Sequence, residues 1–254
     1  MYVELDPRLS ARENVAHYYQ QAKELRRKRE RIAKAMDELR ERITALEKTS
    51  AEEAAVRPAV RVKAAREKQW FEKFRWLRTS GGFLALAGRD AKQNELLVAR
   101  HLEPSDLFFH ADVHGAPATI LKNGQNASEN DLRECAEFAG AYSSAWKAGH
   151  GAVDVYCVKP DQVSKYSHGE YVAKGGFMIR GERKWFRGLP LRLRLAVVDE
   201  RAAVVPRTAS EGVEVVPGGY KKAVVAEGVK KNLGVISSDE VLALLPGDCE
   251  LLNA

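Results

Sequence analysis

From Ser10 to Phe74 the chain has no glycine and a single proline, Pro58, and it is dense in Ala, Glu, Lys and Arg. That texture admits little except helix. Val15, Ala22, Arg29, Met36 and Ile43 alternate with Tyr18, Leu25, Ile32, Leu39 and Leu46 at heptad spacing, the pattern of a coiled-coil seam. Ser10 with Glu13 three residues later supplies a capping box at the helix start. Lys48 to Ala51 interrupts the register. A second helical stretch with Ala54, Ala55, Val62, Ala65 and Trp70 as apolar positions runs toward Phe74, so the segment is expected to close into an antiparallel hairpin. Alanine and arginine at the seam suit a self-folding pair better than a stable dimer.

Beyond Gly81 the texture changes to glycine and β-branched residues. Strands are predicted at Phe83 to Ala87, Leu107 to Val113, Ala118 to Lys122, Val153 to Val158, Phe177 to Arg180 and Leu191 to Val198. Helices are predicted at Asp90 to Leu102, Ser128 to Lys147, Lys221 to Asn232 and Ser238 to Leu245. The expected fold class is α/β or α+β: a mixed-sheet domain preceded by the helical hairpin. Three units are expected: hairpin 1–75, globular domain 76–200, and a C-terminal extension 201–254 with short helices.

Composition narrows function. Lys and Arg number 41 against 35 Asp and Glu, a net charge of +6, which favours a polyanionic partner. The three cysteines, Cys135, Cys157 and Cys249, are far apart and contain no C-x-x-C pair, so neither a disulfide framework nor a zinc site is signalled. A cytoplasmic location is expected, without secretion or membrane insertion, because no segment is apolar for long enough to span a bilayer.

Enzyme motifs are missing. Gly81, Gly82 and Gly88 fit neither a P-loop nor a dinucleotide fingerprint, and Ser143 and Ser144 sit in no G-x-S-x-G elbow. His110-Ala111-Asp112-Val113-His114 is the one metal-like string: on a strand, alternate residues would bring two imidazoles and a carboxylate to one face. A metal-dependent hydrolase on His110, Asp112 and His114 is therefore the alternative to a non-enzymatic protein, and a coiled-coil interaction scaffold is the third reading. No cofactor is expected.

The residues favour RNA. Arg89 to Glu95 sits where a strand turns into a helix, so backbone N–H groups and Lys92 can receive a phosphate. From Gln162 through Lys165 and Tyr166 to Lys174-Gly175-Gly176-Phe177 and Arg180, cations, aromatics and glycines interleave as in loops that hold unpaired RNA. Arg89, Lys92, Lys122, Lys165 and Arg180 are the expected phosphate contacts. His110, His114 and Tyr166 are the expected base or sugar contacts, with Asp112 and Asn123 beside them.

Taken in order, Trp70 to Trp76, Gly88 to Glu95, Phe109 to Ala116, Lys122-Asn123, Ser143 to Trp146, Gln162 to Lys165 and Gly175 to Gly181 resemble the C-terminal RNA-binding domain of the NFACT family of ribosome quality-control factors. The helical segment falls where that family carries its coiled coil, and Asn14 to Tyr19 resembles the entry into it. The resemblance implies binding to large ribosomal subunits stalled with peptidyl-tRNA, with rRNA and tRNA as partners. It also implies an N-terminal domain on the same or another chain, because the part of the family that does most of the tRNA work has no counterpart here.

Overall fold

The computed structural model describes residues 5–56, 69–165, 174–234 and 237–252, in two compact units divided at Arg66 and Glu67. The described part of the first unit is dominated by one helix, α1 (Ala11–Val56). It is roughly 70 Å long at 1.5 Å per residue. The Ser10 and Glu13 side chains form the capping box anticipated at its start: the Glu13 N–H donates to Ser10 Oγ, and the Ser10 N–H donates to Glu13 Oε2 at 2.7 Å. Asn14, buried, adds a second fastening. Its Oδ1 accepts from the Asp6 N–H at 2.9 Å while its Nδ2 reaches the Asp6, Leu9 and Ser10 carbonyls, so residues 6–10 fold back over the first turn. The register break at Lys48 to Ala51 does not end the helix, which runs through it to Val56. Residues 57–68 of the expected second arm lie outside the described residues, and at its end Trp70–Lys73 is a single 3-10 turn.

The second unit contains β1 (Arg75–Arg78), β2 (Leu84–Ala87), α2 (Ala91–His101), β3 (Leu107–Ala111), β4 (Thr119–Leu121), α3 (Glu129–Ala141), α4 (Ser144–Lys147) and β5 (Ala152–Val158). It continues with β6 (Val163–Ser164), β7 (Met178–Ile179), β8 (Lys184–Pro190), β9 (Leu193–Val198), β10 (Arg201–Val205), β11 (Val213–Tyr220), α5 (Lys222–Leu233), α6 (Ser238–Leu244) and β12 (Cys249–Leu252). The main sheet has the order β1-β2-β4-β3-β5-β8. α2 carries the chain from β2 to β3 and α3 from β4 to β5, and each crossover skips one strand. The skipped strand runs the opposite way, so all described pairs are antiparallel and the domain is α+β. The mixed sheet suggested by alternating strand and helix signals would have needed those crossovers to join neighbours.

Alternation along β3 divides the core. Leu107, Phe109 and Ala111 face α3 and the second sheet, whereas Phe108 faces the Trp70–Lys73 turn and α2, with Phe71, Phe74, Leu86, Leu97 and Ile120. The helix expected from Ser128 to Lys147 is broken at Tyr142 and Ser143, where Ser143 Oγ donates to the Gly140 carbonyl at 2.7 Å and caps α4. The second sheet, β10-β9-β11-β12, crosses residue 200, where the sequence suggested a separate extension. β9 pairs both β10 and β11, and Leu195, Val204, Val215, Val229 and Cys249 join the main core, so 201–254 is integral to this unit.

The tightest joint is at the end of β2. A Cβ on Gly88 would stand 2.1 Å from Asn94 Oδ1, the oxygen that accepts the Ala118 N–H at 3.2 Å. Gly88 N–H in turn donates to the Ala118 carbonyl at 3.1 Å. Gly88→Ala is expected to destabilise the domain by about 1–3 kcal/mol, the cost of overpacking a site with no room to relax. Urea denaturation followed by circular dichroism checks it: a midpoint equal to the parent's would mean that Asn94 can move aside.

Candidate nucleic-acid interface

Four separate stretches meet in one groove of about 490 Å3. One wall is the β2–α2 turn, Gly88 to Ala91 with Asn94; the floor is His110 with Val113 to Pro117; the other wall is Lys174 to Phe177, and α4 contributes Ser143, Ser144 and Lys147. Among the described residues, the cations on it are Arg75, Arg89, Lys147 and Lys174, against the single carboxylate of Asp90. That carboxylate is engaged, because its Oδ1 caps α2 by accepting the Gln93 N–H at 2.8 Å. The field in the groove is therefore positive, and a polyanion is the ligand such a field concentrates.

Its shape is held by a clasp. Glu95 Oε1 accepts from Lys165 Nζ at 2.5 Å and from the Gly175 N–H at 3.1 Å, which draws the glycine loop onto the first turn of α2. Gly175 has φ of 81°, and a Cβ there would stand 2.7 Å from that of Ala91, so only glycine fits. The Lys165 and Gly175 hydrogen bonds hold the Glu95 carboxyl below its ordinary value. Because the folded value is depressed, the clasp's contribution is complete above the ordinary carboxyl range. It is lost only as pH falls through the folded value.

Arg75 donates to the Gly88 carbonyl at 2.9 Å and lies 4.5 Å from the centre of the Tyr142 ring, whose hydroxyl donates to the Leu244 carbonyl at 2.6 Å. Burial lowers the Arg75 guanidinium and raises the Tyr142 phenol. His110 is half-buried, stacked at 6.4 Å on Phe108, and burial pushes its imidazole below the usual histidine value. It enters the groove neutral at pH 7, as a hydrogen-bonding and stacking group.

The residues expected to touch RNA do not share one environment. His110, His114 and Arg89 line the groove. The Arg89 guanidinium is already engaged there, donating to the Lys73, Phe74 and Ala243 carbonyls at 3.2–3.3 Å. Lys122 is engaged as well. Its ammonium sits 2.7 Å from the wholly buried Asp106 carboxylate and donates to the His101 carbonyl, and Asn123 gives its N–H to the same carboxylate in a left-handed turn with φ of 54°. Lys165 belongs to the clasp. Lys92, Asp112 and Arg180 are exposed outside the groove, and Tyr166 lies outside the described residues.

The metal reading loses its geometry. β3 ends at Ala111 and the chain turns at Gly115 with φ of 83°, so the two-residue alternation does not carry from His110 through His114. Among the described residues no three His, Cys, Asp or Glu side chains group to hold a metal, and no helix is long and apolar enough to cross a membrane. Arg75 and Lys147 were missed by reading the sequence, because their place in the groove follows from β1 being the first strand and α4 being a separate turn.

Residues 73–181 match the NFACT protein RNA-binding domain. The chain is 38% identical over 75% of its length to the archaeal Rqc2 homolog aRqcH of Methanocaldococcus jannaschii. It is 36% identical over 77% to the NEMF homolog of the Drosophila melanogaster ribosome quality control complex, and 32% identical over 94% to the mouse NEMF subunit. It spans 30%, 20% and 24% of those relatives.

Lys122→Met removes the cation from a buried carboxylate and is expected to cost about 3 kcal/mol. If Lys122 is architectural, this variant lowers the melting temperature and, at temperatures where it is folded, binds RNA as the parent does. Loss of RNA affinity with unchanged melting would restore it as a phosphate contact.

Proposed function

From the premise that this chain belongs to the NFACT family of ribosome quality-control factors, we propose that its second unit is an RNA-binding, ribosome-docking module acting on large subunits stalled with peptidyl-tRNA. The observation that carries this is the cationic groove, built from four stretches separated in sequence and fastened by the Glu95 clasp. Positive charge supplies affinity for any phosphate backbone, and a fixed shape selects among folded RNAs. The names of the relatives, ribosome quality control complex subunits, support the ribosome as the place where such RNA is met. No catalytic arrangement is part of the reading.

The long helix suits an arm. Arg26, Arg27, Lys28, Arg29 and Arg31 form an exposed basic run that can meet rRNA. Seam residues such as Leu25, 65% exposed, and Leu39 offer a stripe for a partner helix. Replacing Arg26, Arg27 and Lys28 together with Glu is expected to lower co-migration with large subunits in a sucrose gradient without altering melting, since exposed charges add little to folding. Equal co-migration would remove the arm from the reading.

For the groove, the probe is filter binding of tRNA and large-subunit rRNA over a salt series. Lys147→Ala and Lys174→Ala, both at exposed positions, should each weaken binding to every RNA and reduce the slope of log affinity against log salt by about one unit. A slope untouched in both variants would move the RNA face elsewhere on the molecule.

A further inference from the structure

Beyond the groove, the same face of the main sheet carries a second aromatic and cationic group on its last two strands. Arg183 lies just before β8 and Trp185 is the strand's second residue; Arg187 sits where the pairing with β5 is bulged, and the contacts of both guanidinium groups with the Trp185 ring bring the three together on one face. Trp185 pairs in register with Tyr156 of β5, their rings edge to face at 5.3 Å, and His110 lies 6.0 Å beyond Tyr156. The row therefore runs from the floor of the groove out to the sheet edge.

Two guanidinium groups lie over these rings. Arg183 is 4.6 Å from the centre of Tyr156 and 5.9 Å from that of Trp185, and Arg187 is 4.7 Å from Trp185. Arg187 is held there. Asp154 Oδ2 accepts from its Nη1 at 2.8 Å, while Asp154 Oδ1 accepts the Gly188 N–H at 2.7 Å. The Arg187 side chain lies over the indole yet keeps 68% of its surface open to water, so it remains accessible to a ligand.

Charge at an edge strand often serves only to prevent pairing with another sheet, a task for which a lysine is enough. Planar guanidinium groups set over rings, one of them tied to a carboxylate, do more, because they present a flat, cationic surface that is partly positioned before any ligand arrives. The ligand that matches a flat cationic surface is a flat group attached to a phosphate. In an RNA duplex the base faces are covered by their neighbours, whereas an unpaired nucleotide offers both a free face and a phosphate.

We propose that Arg183, Trp185 and Arg187 form a stacking platform for an unpaired RNA nucleobase, with Asp154 as the positioning residue that holds Arg187 in place. This rests on the RNA-binding reading and adds to it a preference for single-stranded RNA next to the groove. The backbone phosphates flanking the stacked base would then lie beside the two arginines.

Fluorescence anisotropy of the full chain with a labelled ten-nucleotide unpaired RNA and with a blunt RNA duplex tests it. Trp185→Ala should weaken single-strand binding about tenfold, the scale of losing one base–aromatic stack, and leave duplex binding within twofold. Trp185→Phe should keep most of the affinity. Because Trp185 also packs on the core, a second variant guards against a folding defect: Arg183→Lys with Arg187→Lys keeps the charge and removes both planes. It should lose severalfold on the single strand alone, with an unchanged salt slope. Single-strand affinity equal to the parent's in Trp185→Ala or in the lysine pair overturns the platform while leaving RNA binding in place, as does an equal loss on both RNAs. A parent protein that binds neither RNA at low salt overturns the RNA-binding reading and the platform with it.

Discussion

The close approach of Gly88 to Asn94 governs the geometry of the functional face. The Asn94 amide oxygen replaces a backbone partner for Ala118, tying the first turn of α2 to the start of β4 while β2 ends against both. No side chain larger than hydrogen fits at residue 88. This joint sets where the β2–α2 turn emerges and aims Glu95, one residue after Asn94, at Lys165 and Gly175. The groove is thus a consequence of backbone packing, with its cations added at the rim.

Much of what looks like a binding motif in this chain is architecture of that kind. Asp106 organises Lys122 and Asn123, Arg89 fastens the Trp70–Lys73 turn to α6, and Glu95 holds Lys165. The Asp106 cluster satisfies a wholly buried carboxylate that would otherwise be costly, while Arg89 and Glu95 tie separate segments together at the surface. Lys147 and Lys174, exposed on the groove, are the cations the proposed RNA contact draws on, whereas Arg89 and Lys122 already hold parts of the fold together. The aromatic row from His110 to Trp185 lies on the sheet face, where Trp185 packs partly into the core and carries Arg183 and Arg187 over its ring.

The second sheet shows how far a local reading can drift. Residues 201–254 carry short helices and scattered glycines, which suggest an appendage, yet β9 pairs on both sides with strands from that region. Val204, Val215 and Cys249 bury their side chains against the same core as Trp146 and Leu191. Cooperative burial of apolar area, which no single stretch of the chain reveals, makes this one folding unit.

What the sequence determined by itself was whatever depends on local periodicity and local capping. α1 with its Ser10 and Glu13 box, α2 capped by Asp90, α3 capped by Ser128, and the buried strands Leu84–Ala87, Leu107–Ala111 and Ala152–Val158 all follow from spacings within a few residues. The ordered series of motifs identified the family for the same reason, since it needs no contacts to be read. Strand order, the antiparallel sense produced by skipped strands, and the meeting of Gly88, His110 and Gly175 at one groove were decided by tertiary structure alone. So were the different fates of Lys122 and Lys147, two lysines alike in sequence: a wholly buried carboxylate stands beside one, and water surrounds the other. Whether a cation is available to a ligand is a property of what surrounds it in space, and residues 16 and more apart in the chain supply those surroundings.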